Sequence, residues 1–229
     1  MLEVLDIGNT FTRIATWNGG EFVDLRRLPT GELPVGKGEF HRIAACVCPE
    51  EKERLKDSGI EFISALNQAS KVDFSLVDCS TLGADRVANA IAAAELYSLP
   101  AAVVDCGTAI TLEVVDEQCR FAGGAIAPGR KLLRKALASG TAQLPEIAVD
   151  NRIPENIGCN TVDAIRFGVD AGAVGVVREW LSVLQKKYSD LTVILTGGDA
   201  AFFAPAFPEA IIADEYFTLN GIRLAGKNS

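Results

Sequence analysis

The feature that most constrains the fold is a pattern that occurs twice. An apolar, strand-like run ends in Asp-x-Gly at LEVLDIG, which contains Asp6, and again at AAVVDCG, which contains Asp105. Each is followed by a second and a third strand-like run with a Gly-Gly pair nearby. Because the two aspartates lie about one domain length apart, we expect a duplicated α/β domain, with two similar lobes and a cleft between them.

Hydrophobic periodicity predicts the other elements. In the first lobe, residues 1–99, it predicts a charged helix at PEEKERLKDSG, an alanine-rich helix from Gly83 to Tyr97, and the strands LEVLDIG, TRIATWN, EFVDLRRL, HRIAACVC and EFISA. In the second lobe, residues 100–229, it predicts a long helix from about Thr161 to Lys187 and the strands AAVVDCG, AITLEVVD, CRFAGGAIA, LTVILTGG and AIIAD.

Composition limits the partners. With 229 residues, 48% of them hydrophobic and 23% charged, the chain can bury a core as a soluble globular protein. A net charge of −8 argues against a nucleic-acid or anionic-membrane surface and favours a small substrate. MLEVLDIGNT does not resemble a signal peptide and Glu95 interrupts the richest apolar stretch, so we expect a cytoplasmic protein. The six scattered cysteines favour buried free thiols.

The two strand ends are candidate phosphate sites. A carboxylate after a buried strand costs free energy unless a cation or several donors compensate it, and the glycine beside it leaves room for phosphate or metal. Asn9 and Thr10 can donate to phosphate oxygens, and Asp6 can hold hydrated magnesium. A single such turn is more often a tight hairpin whose Asp and Asn bind turn amides. The second copy, at Asp105, Gly107 and Thr108, together with TGGDA at residues 196–200, makes nucleotide binding the favoured interpretation.

Two helix starts carry ambiguous polar residues. In LGADR, residues 82–86, Asp85 is either the N-cap of the alanine-rich helix or a functional carboxylate, and Arg86 either pairs with an anion or is exposed. In IGCNTVDAI, Thr161 is either an N-cap or a hydroxyl presented to a substrate.

Two other candidate motifs are excluded because the sequence lacks residues that they require. GELPVGKG, residues 31–38, is close to a Walker A loop, but Gly38 replaces the required Ser or Thr, Pro34 interrupts it, and no apolar strand precedes it. His41 is the only histidine and no nucleophile motif accompanies it, which argues against a Ser-His-Asp hydrolase.

Taken in order, these motifs resemble the type III pantothenate kinases. The resemblance rests on DIGNT, LGADR, DCGTAIT, GGAIAPG, TAQLP, NTVDAI and the terminal LNGIRL, and it spans nearly the whole chain. It implies two duplicated ribonuclease-H-like domains of the kind shared by acetate kinase, sugar kinases, actin and Hsp70. It also implies a homodimer that phosphorylates pantothenate with ATP, the first step toward coenzyme A.

The resemblance also assigns roles by position. Asp85 resembles the base that deprotonates the substrate hydroxyl, and Asp105 a ligand of an activating monovalent cation, K⁺ or NH₄⁺. Asp6 would in addition hold Mg²⁺ through water. The ATP contacts implied are Asp6, Ile7, Gly8, Asn9, Thr10, Phe11, Thr12, Arg13 and Thr108, and the pantothenate contacts are Gly83, Ala84, Asp85, Arg86 and Thr161.

Two positions depart from the family pattern. The family often has a tyrosine seven residues before the glycine of GADR and a proline four before it, where this chain has Leu76 and Cys79. This leaves two alternatives to a pantothenate kinase: an ATP-binding regulator of the same fold without catalysis, and a kinase for another small hydroxylated acid or sugar.

Overall fold

The computed structural model describes residues 1–36 and 39–226. Lys37 and Gly38, from the stretch rejected as a Walker A loop, lie outside the described residues. In chain order the described elements are β1 (Leu2–Ile7), β2 (Phe11–Trp17), β3 (Phe22–Pro29), β4 (His41–Cys46), α1 (Pro49–Arg54), β5 (Ile60–Phe62), α2 (Ala84–Leu96), β6 (Ala101–Cys106), β7 (Ala109–Val115), β8 (Phe121–Pro128), α3 (Arg130–Gly140), α4 (Thr161–Gln185), β9 (Thr192–Thr196), α5 (Ala200–Phe203), a 3-10 turn (Ala204–Ala206), β10 (Ile211–Ile212) and α6 (Phe217–Ala225).

The first sheet has the order β3-β2-β1-β4-β5. β1 pairs antiparallel with β2 and parallel with β4, so it lies at the centre. Its apolar residues alternate between two cores: Val4 packs with Ile43 on one face, and Leu5 packs with Ile14 on the other. Burial on both faces explains why the run LEVLDI is apolar nearly throughout.

The second sheet repeats this order as β8-β7-β6-β9-β10. Here β6 is the central strand, pairing parallel with β9, which in turn pairs parallel with β10. Residues 101–104 of β6 are fully buried, as expected for a strand covered on both faces. The matching strand orders confirm the predicted duplicated α/β architecture.

The residues pack into two units. The first comprises Met1–Leu99, Glu113–Gly123 and the chain from Asp214, and the second comprises Pro100–Leu112 and Gly124–Ala213. The predicted lobes, residues 1–99 and 100–229, share the break after Leu99, but their bounds stay a prediction. The C-terminal segment groups with the first unit because α6 packs on α2 there, so closely that a Cβ on Gly221 would lie 1.9 Å from the carbonyl oxygen of Ala88.

Most predicted elements are present within a few residues of their expected ends. The helix predicted at PEEKERLKDSG ends early, at Arg54, and helices α3 and α6 were not predicted. All six cysteines are free, but Cys106 alone among them is buried. Within the part of the chain that is described, no helix is long and apolar enough to span a membrane.

Candidate functional site

In the first unit, the turn between β1 and β2 presents polar groups at the end of a buried strand. The amide of Gly8 donates to the carbonyl of Phe11 at 3.1 Å, and the Thr30 hydroxyl donates to the carbonyl of Gly8 at 2.7 Å. Asn9 and Thr10, at the tip, are exposed. A rigid turn with exposed donors is the geometry expected of a phosphate-binding loop.

Asp6 is held by an arginine from the next strand. Asp6 and Arg13 are directly opposite in the β1–β2 register, and Nε and Nη2 of Arg13 both donate to Asp6 Oδ2, at 3.1 and 2.9 Å. The carboxylate therefore has a cation beside it before any ligand binds.

The other residues assigned to ATP divide into two groups. Ile7 and Thr12 are buried and opposite each other in the sheet, so a nucleotide contact would have to involve their backbone atoms. Phe11 is 40% exposed, and the guanidinium of Arg27 lies 3.6 Å from its ring centroid. The pair adds a stacked cation to the edge of the turn.

Asp85 lies in the first turn of α2. The N-cap of this helix is Gly83, with no side-chain cap, so the N-cap interpretation of Asp85 is wrong. The carboxylate accepts from the amide of Arg86 at 2.8 Å and folds back over the glycine, where a Cβ would lie 2.6 Å from Asp85 Oδ1. A side chain at position 83 would therefore displace the Asp85 carboxylate from this position.

The electrostatic setting of Asp85 differs from that of a surface carboxylate. Burial raises the pKa of Asp85, the charge of Asp6 raises it further, and the amide and charge of Arg86 act in the opposite direction. Burial is the largest cause of the raised pKa of Asp85, and the charge of Asp6, in the same unit, adds to it. A raised pKa brings a carboxylate closer to the proton affinity that a general base needs.

Arg86 is paired rather than exposed. Its Nε donates to Oε1 of Glu113 at 2.9 Å, and its guanidinium lies 5.8 Å from the ring centroid of Phe121. Glu113 is completely buried, and no sequence motif pointed to it. Nearby in sequence, the departing position Leu76 is 54% exposed, and the Cys79 thiol lies 3.2 Å from the carbonyl of Phe74.

In the second unit, Asp105 lies in a recess lined by glycine. A Cβ on Gly197 would lie 2.3 Å from Asp105 Oδ1, and one on Gly107 would lie 3.7 Å from the same atom. Gly197 also has φ of +89°, which other residues rarely adopt. Asp105 opposes Thr196 in the β6–β9 register, so the two glycine-rich strand ends meet at this carboxylate.

Thr108 and Thr161 are both exposed, and both lie at the ends of elements of the second unit. Thr108 is held by its backbone, because its carbonyl accepts from the amide of Gly129 at 2.9 Å. Thr161 is the first residue of α4, but the N-cap is Asn160, whose side chain accepts from the amide of Asp163 at 3.0 Å. The N-cap interpretation of Thr161 is therefore wrong.

Sequence reasoning missed a buried charge network in the second unit. Arg130 and Arg134, both on the unpredicted helix α3, bind Asp170 of α4, and Arg130 also binds Asp199 at 2.8 and 2.7 Å. The signal available was two arginines spaced i, i+4 on one helix face, a like-charged pair that is unfavourable unless an acidic partner compensates it.

The carboxylates are dispersed. In residues 1–36 and 39–226, no three His, Cys, Asp or Glu side chains gather as a metal cluster. Mg²⁺ does not need such a cluster, because it is commonly bound by one or two carboxylates together with substrate phosphates and waters. Asp6 is a single carboxylate at the end of β1, and Arg13 already binds it directly.

Comparison with known sequences decides the family. The family model described as type III pantothenate kinase matches residues 2–182. The chain belongs to this family. A type III pantothenate kinase of Kosmotoga olearia is 34% identical over 97% of this chain and 94% of its own length, and one of Akkermansia muciniphila is 39% identical over 80% of this chain and 77% of its own.

Solved structures agree on the fold of this pantothenate kinase family member. A protein from Campylobacter jejuni described as a Baf family transcriptional activator superposes with a TM-score of 0.68 at 22% identity, covering 96% of this chain and 95% of its own. A protein from Sinorhizobium meliloti described as a 2-dehydro-3-deoxygalactonokinase gives 0.64 at 12% identity, covering 100% and 99%. The predicted fold, two duplicated ribonuclease-H-like domains, is confirmed, and the family is one of ATP-dependent kinases.

Proposed function

We propose that this protein transfers the γ-phosphoryl group of ATP to the primary hydroxyl of pantothenate, with Asp85 as the base. The observation that carries the proposal is the placement of Asp85: a half-buried carboxylate of raised pKa, held by its own helix start and electrostatically coupled to Asp6 at the phosphate turn. Family membership supports the reaction itself, the first step of coenzyme A biosynthesis.

The roles follow from what each group offers. Phosphoryl transfer needs alignment of hydroxyl and phosphate, plus compensation of the charge on the phosphate oxygens. The turn from Asp6 to Arg13 supplies amides, hydroxyls and the guanidinium of Arg13 for the phosphates. Asp85 accepts the proton of the acceptor hydroxyl as the bond to phosphorus forms. Arg86, fixed by Glu113, and Gly83 and Ala84 shape the acceptor side, to which we also assign Thr161.

The metal ions supply charge compensation. Bound Mg²⁺ would neutralise phosphate charge, and Asp6 is the residue that would hold it through water. We assign the monovalent cation, K⁺ or NH₄⁺, to Asp105, because its carboxylate is partly buried in a recess where glycines leave space beside it. Thr108, exposed at the same turn, is assigned to ATP.

Product formation tests the proposal. The protein is incubated with ATP, Mg²⁺, K⁺ and pantothenate, and phosphopantothenate is measured by mass spectrometry for wild type, Asp85→Asn and the control Asp57→Asn, which alters an exposed aspartate after α1. We expect product from wild type and the control, and a rate lower by about 100-fold or more from Asp85→Asn. ATP binding without turnover of any acceptor would instead support the non-catalytic regulator, and turnover of another hydroxylated acid or sugar would support the third alternative.

The cation assignment has its own test. Replacing K⁺ by Na⁺ should lower the rate strongly in wild type and have little further effect in Asp105→Asn. Undiminished activity in Na⁺ would contradict the role of Asp105 without affecting that of Asp85.

A homodimer in the cytoplasm completes the proposal. The second unit exposes large apolar side chains at Ile126 and Ile157, 64% and 75% exposed, which contact with a second copy of the chain could cover. Light scattering at several protein concentrations tests for the dimer, and a monomer at all of them would contradict it.

A further inference from the structure

The strongest unassigned feature is the buried charge network of the second unit. Arg130 is 0% exposed, Arg134 1% and Asp170 0%, whereas Asp199 is 24% exposed at its side chain. Burying a guanidinium costs several kcal/mol unless it is paired and hydrogen-bonded, so each partner in the network matters. Two arginines and two aspartates balance in charge.

Arg130 joins more elements than Arg134 does. Besides Asp199 and Asp170, its guanidinium donates to the carbonyl of Asp150 at 2.9 Å and stacks on Phe202, 3.3 Å from the ring centroid. Arg134 binds Asp170 at 2.5 Å and the carbonyl of Ala148. Both arginines thus tie α3 to α4 and to the segment around residue 149, but of these two only Arg130 is bonded to Asp199.

Asp199 also bonds the turn of residues 197–199 to the end of β6. Its amide donates to the carbonyl of Cys106 at 2.8 Å, the residue after Asp105. Two positions earlier, Gly197 adopts positive φ and packs on the Asp105 carboxylate and the Cys106 backbone. The turn of residues 197–199 therefore depends on Asp199 staying in place, and the bidentate bond from Arg130 is what fixes the Asp199 side chain.

We propose that Arg130 is a positioning residue for nucleotide binding: through Asp199 it holds the turn of residues 197–199 against Asp105 and so sets the affinity for ATP. The inference rests on the proposed function, because it takes the two glycine-rich strand ends as nucleotide contacts. Arg130 itself is completely buried and acts through Asp199. Arg134 has the same charge and burial and shares Asp170, but it lacks the bond to Asp199, and its role is to support the helix pair.

The test compares Asp199→Asn, Arg130→Met, the double variant and the matched control Arg134→Met. Dissociation constants for ADP and for a non-hydrolysable ATP analogue are measured by calorimetry, with thermal midpoints for all four. Losing the charged bond should weaken nucleotide binding about tenfold in Asp199→Asn and in Arg130→Met. The double variant should be no weaker than the worse single variant, because both changes break one interaction.

The control separates positioning from stability. Arg134→Met should lower the thermal midpoint while its nucleotide dissociation constant stays within about twofold of wild type, since Arg134 makes no bond to Asp199 and Asp170 keeps its bond to Arg130. Kinetics should show the same split, with KM raised for ATP and not for pantothenate in Asp199→Asn. An unchanged dissociation constant in Asp199→Asn, or an equal loss in Arg134→Met, would overturn the proposal.

The binding measurement also keeps the two proposals distinguishable. It needs no acceptor, so a wild-type protein that binds nucleotide but does not phosphorylate pantothenate would refute the proposed function and leave this test intact. If wild type bound no nucleotide, both proposals would fail. Should Arg130→Met not fold, Asp199→Asn decides alone, because it keeps the size of a partly exposed side chain.

Discussion

The two Asp-x-Gly turns lie at equivalent places in equivalent sheets, yet their aspartates have different surroundings. In the first turn the amide of Gly8 bonds three residues ahead, to Phe11, whereas in the second the amide of Gly107 bonds two residues ahead, to Ala109. The first aspartate, Asp6, is bound by an arginine of its own hairpin. The second, Asp105, packs instead against a glycine from β9's end, about ninety residues further along the chain.

These different surroundings are expected if the two halves have different roles in the proposed reaction. A turn that contains its own cation and exposed amides suits an anion such as phosphate. A carboxylate recessed among glycines suits a cation and the close approach of a backbone. With Asp85 as the proposed base, beside the charge of Asp6, the proton transfer would belong to the first unit.

The largest effect should come from removing the base. Asp85→Asn should lower kcat by about 100- to 10,000-fold, the usual contribution of general base catalysis, with little change in ATP affinity. Asp105→Asn should act mainly on the KM for ATP and on cation dependence, with a kcat loss of about tenfold. Steady-state kinetics of both variants at saturating K⁺ check this, and similar kcat losses would show that the two halves do not divide the work.

Substitution of Gly197 and of Gly8 should destabilise the protein by different amounts. Gly197→Ala places a Cβ at positive φ and 2.3 Å from Asp105 Oδ1, which should cost about 2–4 kcal/mol from strain and overpacking together. Gly8→Ala meets only the carbonyl of Phe11, at 3.1 Å, and should cost about 1 kcal/mol or less.

Urea unfolding checks this pair, because Trp17 lies in the first unit and Trp180 in the second. Each variant is made in Trp17→Phe and Trp180→Phe backgrounds so that fluorescence reports on one unit at a time. If Gly197→Ala destabilised the protein no more than Gly8→Ala, the close packing at Asp105 would be in question.

The comparison also shows how far sequence reasoning reaches. The strands, α2 and α4 could be predicted because apolar alternation and alanine content are local signals, and the repeated Asp-x-Gly indicated the duplication. The side-chain partners could not: Arg86 and Glu113 are 27 residues apart, and Arg130 and Asp199 are 69 apart. The N-cap interpretations of Asp85 and Thr161 failed because each helix has its N-cap earlier in the chain. The N-cap of α2 is Gly83, two residues before Asp85, and that of α4 is Asn160, the residue before Thr161.

A smaller effect should follow from exposing the charge of Asp6. Arg13→Met removes the guanidinium beside Asp6, so the carboxylate would repel incoming phosphates, and the KM for ATP should rise about tenfold. Arg26→Met is the control: it removes the same charge from β3, where Arg26 pairs with Glu3 and is 55% exposed, and should change KM less than twofold. Equal effects in the two variants would point to net charge rather than to the turn.

The smallest effects, and the most specific to the first unit, are the changes that Asp85 causes in the pH dependence of kcat/KM and of stability. Because burial raises the pKa of Asp85, kcat/KM should fall as pH is lowered through that raised value, and Asp105→Asn should keep this acid limb while Asp85→Asn loses it. The stability that a protonated Asp85 contributes is present below the ordinary carboxyl pKa and is lost as pH rises through the raised one. Asp85→Asn should therefore be slightly more stable than wild type at pH 7, by a margin that shrinks on acidification.

The pKa of Asp73 is shifted in the opposite direction to that of Asp85, so its effect on stability should have the opposite pH dependence. The amide and then the hydroxyl of Ser75 lower the pKa of Asp73, so its contribution is present at neutral pH and is lost as pH falls through the lowered value. Asp73→Asn should be less stable than wild type at pH 7, with the gap closing in acid. Unfolding free energies of wild type and both variants across this pH range test the two signs. If the two variants shifted stability at pH 7 in the same direction, burial would not disfavour the charged form of Asp85 as the proposed base requires.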